Sequence, residues 1–178
     1  NMGTILLLNT IRAGYKGLIY PVHPKEKTVC GLKAYGRVSD LPEPADVAIL
    51  SVPAKITLRV LEECGKRGTR RAIIVSGGFK EVGEGGARLE AKLCEVAKRY
   101  EIRLLGPNCI GVINPRIGFN PTMFPYLHHT GGVGVISQSG TYVTQVLPYL
   151  ARMGIGLSKA ISVGNMADIG LNDCIEYL

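Results

Sequence analysis

The sequence predicts an α/β protein: a parallel sheet with helices on both faces. Three observations lead there. Short runs that are apolar nearly throughout, VAILSV at 47–52, RAIIVS at 71–76 and IRLL at 102–105, have the character of strands buried on both faces. Between them lie longer stretches with apolar residues at helical spacing. The two kinds alternate along the chain, which favours strand–helix–strand units with right-handed crossovers in a doubly wound arrangement.

Each element follows in order. Ile5, Leu8 and Ile11 give a first helix that Gly14 ends. Residues 17–20 (GLIY) read as a short strand closed by Pro21, and 25–37 as a polar stretch punctuated by glycine. After the strand at 47–52, Ile56, Val60, Leu61 and Cys64 mark a helix over 54–67. The strand at 71–76 leads to a helix over 84–100 with Leu89, Leu93, Val96 and Ala97 on one face, then to the strand at 102–105. Pro115, Pro121, Pro125 and several glycines make 112–132 the candidate linker. A second unit reads as strand 133–136, helix 140–153, strand 159–163 and helix 171–178. One such unit is short for an α/β domain, so the expected division is 1–127 and an incomplete 128–178.

Bulk properties narrow the function. The 178 residues carry a net charge of +7, but the charges are interspersed with acids and form no long Lys/Arg run. With no Trp and three Phe, stacking platforms are lacking too, which argues against nucleic acid and leaves a polyanionic small molecule. The five cysteines are odd in number and free of CxxC pairs, as expected of a reduced, cytoplasmic protein without disulfides or a zinc site. No apolar run has membrane-spanning length and no signal peptide is visible. The chain starts with Asn1 rather than Met, so something is expected to precede it.

Ligands of parallel sheets sit beyond the carboxyl ends of the strands. After the first strand come Pro21, His23 and Lys25, where an acid would hold the ribose of NAD; His and Lys suit a phosphorylated ribose, although a solvated surface turn is the plainer reading. Ser51 and Pro53 follow the second strand, as a ligand wall or as a plain helix start. Ser76, Gly77 and Gly78 follow the third, where glycines let backbone N–H groups converge on an anion or carbonyl. Gly106-Pro107-Asn108-Cys109-Ile110-Gly111 follows the fourth: Asn108 both donates and accepts hydrogen bonds, and Cys109 reads as a small apolar filler rather than a nucleophile. In the second unit Ser137, Gln138, Ser139 and Gly140 join a strand to a helix start, a ready phosphate cradle without the lysine of a Walker A loop. Asn165 and Asp168 are expected on the same rim, Asp168 as a turn cap. His128 and His129 read as an exposed loop pair rather than metal ligands.

The segments IYPVHPK, AILSVPA, IIVSGGF, LLGPNCIGVINP, VGVISQSG and SVGNMADI, in this order, resemble the α-subunit or α-half of NDP-forming acyl-CoA synthetases such as ADP-forming acetate–CoA ligase; succinyl-CoA synthetase α is more distant. The resemblance implies a Rossmann-like CoA-binding domain followed by the start of a flavodoxin-like α/β domain. It implies a reaction that interconverts acyl-CoA, phosphate and a nucleoside diphosphate with the acid, CoA and the triphosphate, through an acyl phosphate and a phosphohistidine. Pro21 to Lys25 and the Ser51–Pro53 turn would line CoA, Ser76–Gly78, Asn108 and Cys109 would lie near the thioester, and Ser137–Gly140 would hold phosphate. ATP or ADP with Mg would sit on an ATP-grasp β-subunit or fused domain of a hetero- or homo-oligomer. The family's first strand and glycine-rich loop are missing here, Gly3 being their last remnant, and its His-Thr-Gly-Ser phosphohistidine segment lies beyond residue 178, so the chain is not expected to complete the reaction alone.

Two other readings stay open at this point. One is a non-catalytic CoA-binding regulatory module of the kind fused to acetyltransferases. The other is an NADP-binding domain of the same fold class.

Overall fold

The computed structural model describes residues 1–125 and 129–178. In chain order its elements are α1 (Met2–Arg12), β1 (Thr28–Val29), β2 (Leu32–Lys33), β3 (Ala48–Leu50), α2 (Ala54–Arg67), β4 (Arg71–Ile74), α3 (Glu84–Arg99), β5 (Arg103–Leu105), β6 (Gly111–Ile113), β7 (Thr130–Ser137), α4 (Gly140–Arg152), β8 (Leu157–Ser162) and α5 (Leu171–Tyr177). Local chemistry sets several boundaries. The Asn1 side chain accepts from the Thr4 N–H to start α1. Gly68, in the left-handed region at φ 104°, ends α2 behind Lys66 and Arg67, whose charges suit the negative end of the helix.

Strands β3, β4 and β5 form a parallel sheet in that order, with Leu50 opposite Ile74 and Ala72 opposite Leu104. Its alternate residues feed two cores. Ala72, Ile74 and Leu104 meet Leu61 and Phe79 and, from α3, Leu93. Ile73, Val75 and Leu105 point the other way and meet Leu6 of α1 together with Ile161, Val163 and Cys174 of the second unit. This two-sided burial is what the uninterrupted apolar runs required. The second sheet has the order β6-β8-β7, with β7 parallel and β6 antiparallel to β8. Helix α4 covers it through Val143 and Leu147, packed on Val135, Leu157 and Ala160.

The structure differs from the sequence expectation in two stretches. Residues 17–20 form no strand: among the described residues no strand pairs with them, and the chain instead turns Tyr20 edge-on to Tyr35 and forms a bridge just beyond, from Val22 to Tyr35. The polar stretch after it holds the β1–β2 hairpin, turned through Cys30 and Gly31, both at positive φ. The stretch expected as a linker carries β6, a bridge from Asn114 to Phe119, and the buried residues Asn120 and Thr122. Those buried polar groups are paired: Thr122 Oγ1 donates to Asn120 Oδ1 and Asn120 Nδ2 to Phe124 O, while Asn9 Nδ2 of α1 donates to Thr122 O. The expected boundary at 127/128 and His128 lie outside the described residues.

The two sheets are stitched together. Residues 165–169, after β8, run along β5: Asn165 N donates to Pro107 O, Ala167 N to Gly106 O and Ile169 N to Leu104 O, at 2.8–3.0 Å. The Asp168 carboxylate accepts from Leu104 N at 2.7 Å and from Arg103 Nε at 2.9 Å. Among the described residues no helix is long and apolar enough to cross a membrane.

Candidate functional site

Because β3, β4 and β5 are parallel, their carboxyl ends open on one rim. There Ser76 Oγ donates to Val52 O, tying the loop after β4 to the loop after β3. Helices α2 and α3 both start at this rim, and neither has a side-chain cap: Pro53 precedes α2 and Gly83 precedes α3. Their first N–H groups therefore lack intrahelical partners, and the positive ends of both helix dipoles face the same space. That space is an open groove of about 820 Å³ bounded by Pro53, Ala54, Lys55, Ile56, Gly77, Gly78, Gly85, Gly86 and Leu89. Apart from Lys55 its walls are apolar or bare backbone, which suits an extended, weakly polar chain ending in a polar group. Gly86 is required by the fold, since a Cβ there would collide with the Phe79 carbonyl.

At the inner end of the groove lies a polar cluster. Asn108, at positive φ, donates its backbone N–H to Ser76 O at 2.9 Å and holds its side-chain oxygen close to Gly77. Its Nδ2 donates to Asn165 Oδ1 at 3.4 Å. Asn165 is only 6% exposed, and its Nδ2 donates to Glu81 Oε2 at 2.7 Å and to Glu90 Oε2 at 2.8 Å. The other Glu81 oxygen accepts from the Gly78 and Phe79 N–H groups. Lys80 Nζ donates to Asn165 O and stands 3.3 Å from Glu90 Oε1. Burial opposes the charge on Glu81, but the hydrogen bonds from Asn165, Gly78 and Phe79 outweigh it and hold the carboxyl below its ordinary range.

Lys80, Glu81 and Glu90 were missed by sequence reasoning. A signal existed for Glu90. The buried stripe of α3 is Gly86, Glu90, Leu93 and Ala97, so an acid stands in an apolar helical series.

The turn from Ser137 to Gly140 joins the same rim. Val163 N donates to Ser137 O, Ile110 N donates to Ser162 Oγ, and Ile110 fills the space that a Cβ on Gly140 would need. Gly164, at φ 57°, lies equally close against the carbonyls of Pro107 and Asn108. Within the turn Ser137 Oγ accepts from Ser139 N, and Ser139 caps α4 by accepting from Tyr142 N. Gln138 and Ser139 are exposed, and the start of α4 carries no acidic residue.

Ser51, Pro53, Ser76, Gly77, Gly78, Asn108 and the Ser137–Gly140 turn thus converge. Ser51 also meets the start of α1, beside Gly3. Pro21, His23 and Lys25 form a separate turn, held by Tyr35 N donating to Pro21 O and His23 N to Tyr35 O. His23 Nδ1 accepts from the Lys25 and Glu26 N–H groups, and Lys25 is exposed. The hairpin that follows this turn touches α1, where Cys30 Sγ contacts Thr4 O. Cys109 faces away from the groove into the core, beside Ile74 O, and burial pushes its thiol up to about 12. Asp168 faces Arg103 and β5 rather than the turn at Ser137. His129 is exposed, and among the described residues no cluster of His, Cys, Asp and Glu has the make-up of a metal site.

Comparison with known proteins decides the family. The model of the CoA binding domain matches residues 3–115. The chain belongs to the CoA-binding domain family. A succinyl-CoA ligase like flavodoxin domain follows it over residues 130–178. Among curated relatives, an ADP-forming acetate–CoA ligase of Methanocaldococcus jannaschii is 44% identical over 92% of this chain and 23% of its own length. The ADP-forming acetate–CoA ligase I subunit alpha of Pyrococcus furiosus is 40% identical over 99% of this chain and 39% of its own. The chain thus spans between about a quarter and two fifths of these relatives. Among solved structures, the dinucleotide forming acetyl-coenzyme A synthetase 1 of Candidatus Korarchaeum cryptofilum in complex with phosphate and ADP superposes with a TM-score of 0.95 at 38% identity, over 99% of this chain and 38% of that one. The CoA-binding domain here is therefore Rossmann-like, with the start of a flavodoxin-type domain stitched to it along β5.

Proposed function

We propose that this chain is the CoA-binding part of an acyl-CoA synthetase that interconverts acyl-CoA, phosphate and a nucleoside diphosphate with the carboxylic acid, CoA and the triphosphate. The observation that carries the reading is the junction of the two turns: Ile110 seated on Gly140, and Gly164 against Asn108. It supports the reading by joining the turn at Asn108 to the start of α4, so that CoA in the groove and phosphate at the helix start would be neighbours.

In this reading residues 1–127 bind CoA and 128–178 begin the flavodoxin-type domain. The turn of Pro21, His23 and Lys25 takes the phosphorylated adenosine end. The groove between Pro53 and Gly86 takes the pantetheine arm and brings the thioester to Gly77, Gly78 and Asn108. Phosphate rests on the Ser139 and Gly140 end of α4. A phosphate oxygen attacks the thioester carbonyl, the carbonyl electrons move onto oxygen, and N–H donors at the rim stabilise that oxyanion. Its collapse breaks the C–S bond, and the CoA thiolate leaves with an acyl phosphate formed. Burial keeps the Cys109 thiol protonated and inside the core, so no step uses it. The phosphohistidine, the ATP-grasp site for ATP or ADP with Mg, and the partner subunit or fused domain that supplies them lie outside these residues. The surroundings are the cytoplasm.

Calorimetric titration with CoA, NAD and NADP tests this. Micromolar CoA binding with no response to NAD or NADP is expected; tight NADP binding with no CoA response overturns it.

A further inference from the structure

We propose that Asn165 is a positioning residue for the thioester end of the CoA groove, coupling the phosphate turn to the groove; the proposal rests on the CoA reading above.

The side chain of Asn165 comes from the second unit yet ends inside the first. Both of its polar atoms are engaged, by Asn108, Glu81 and Glu90, and its backbone N–H and carbonyl are engaged by Pro107 and Lys80. Each partner belongs to a different piece of the rim. Asn108 is in the loop after β5, Glu81 in the loop after β4, and Glu90 on α3. Glu81 in turn holds the Gly78 and Phe79 N–H groups. Asn165 also follows Gly164 directly, whose backbone is pressed against Asn108 and whose predecessor Val163 donates to Ser137 O. A shift of the Ser137–Gly140 turn on phosphate binding is therefore passed to Gly78 and Asn108 through one buried amide.

The Asn side chain is chemically apt here because its NH2 donates at once to two carboxylates, which an aspartate at the same place repels. The charged and titratable groups around it are Lys80, Glu81, Glu90 and Cys94, with Asp168 beyond them. Lys80 is the cation hydrogen-bonded within this cluster.

The test uses the full-length protein that carries this chain, titrated with CoA at pH 5.5, 6.5 and 7.5, each variant expressed as a ratio to wild type at the same pH. Asn165→Asp should weaken CoA roughly tenfold at pH 7.5 and recover most of that loss at pH 5.5, as one carboxyl of the cluster takes a proton and restores a donor. Asn165→Ala should be weak at every pH, a split that a general loss of folded protein does not produce. Glu81→Gln, at an exposed position, should weaken CoA about threefold with no pH dependence of the ratio, and it carries the test if neither Asn165 variant folds. Asn165→Asp equal to wild type at every pH, or Glu81→Gln equal to wild type when only that variant folds, overturns the role of Asn165 alone. Wild-type protein that binds no CoA overturns the CoA reading beneath it.

Discussion

Gly164 carries a steric demand at the junction of the two units. Its φ of 57° and the carbonyls of Pro107 and Asn108 leave no room for a side chain. Gly164→Ala should lower unfolding free energy by about 3 kcal/mol in urea titration; a loss under about 0.5 kcal/mol would show that the two loops can part freely. Cys109 makes a chemical prediction. A thiol pushed up to about 12 is on the order of one part in ten thousand thiolate at pH 8. Iodoacetamide should leave Cys109 untouched in folded protein while the half-exposed Cys30 reacts; early modification of Cys109 in a peptide map contradicts its placement. Glu81 gives a pH dependence. Its carboxyl is held below the ordinary value of 4.5, so its contribution to stability is present above that value and fades as pH falls through the lowered one. Glu81→Gln should therefore cost stability at pH 7 and nothing in strong acid, by thermal melts at each pH.

The elements were largely written in the local pattern. Helix α2 and the strands β3, β4 and β5 follow from apolar runs and glycine ends, because a strand buried on both faces has almost no choice of residue. Strand β6 was not legible. Three residues, GVI at 111–113, sit among prolines and glycines, and only their pairing with β8 makes them a strand. Residues 17–20 failed the other way: the composition suits a strand, but a strand needs a neighbour. The gathering of the glycine and asparagine turns on one rim was legible because parallel strands all end on the same side. The Asn165 cluster was not, since its members are spread from Lys80 to Asn165 and meet only in the fold. The start of α4 has its own test. Ser139→Ala removes a cap and should cost about 1 kcal/mol of stability. In the full-length enzyme it should also raise the KM for phosphate more than the KM for CoA; an equal rise in both would detach this turn from phosphate.

For the whole molecule, the junction matters most. Ile73, Val75 and Leu105 of the first sheet share one core with Ile161, Val163 and Cys174 of the second unit. The run 165–169 adds backbone hydrogen bonds along β5. Two units joined this way should melt together, in one calorimetric transition. Val163→Ala, at a fully buried position, should lower that single transition rather than split it. In the proposed function, this continuity sets the groove and the Ser137–Gly140 turn at a constant separation, which a reaction between CoA and phosphate bound there requires. The most direct measurement is an amide NMR titration of the protein with CoA and then with phosphate. CoA should shift the amides of Ala54, Lys55, Gly77, Gly78 and Gly85, and phosphate those of Ser139 to Tyr142, with Asn165 responding to both. CoA shifts confined to residues away from the rim, or a phosphate response that never reaches Asn165, would contradict the account.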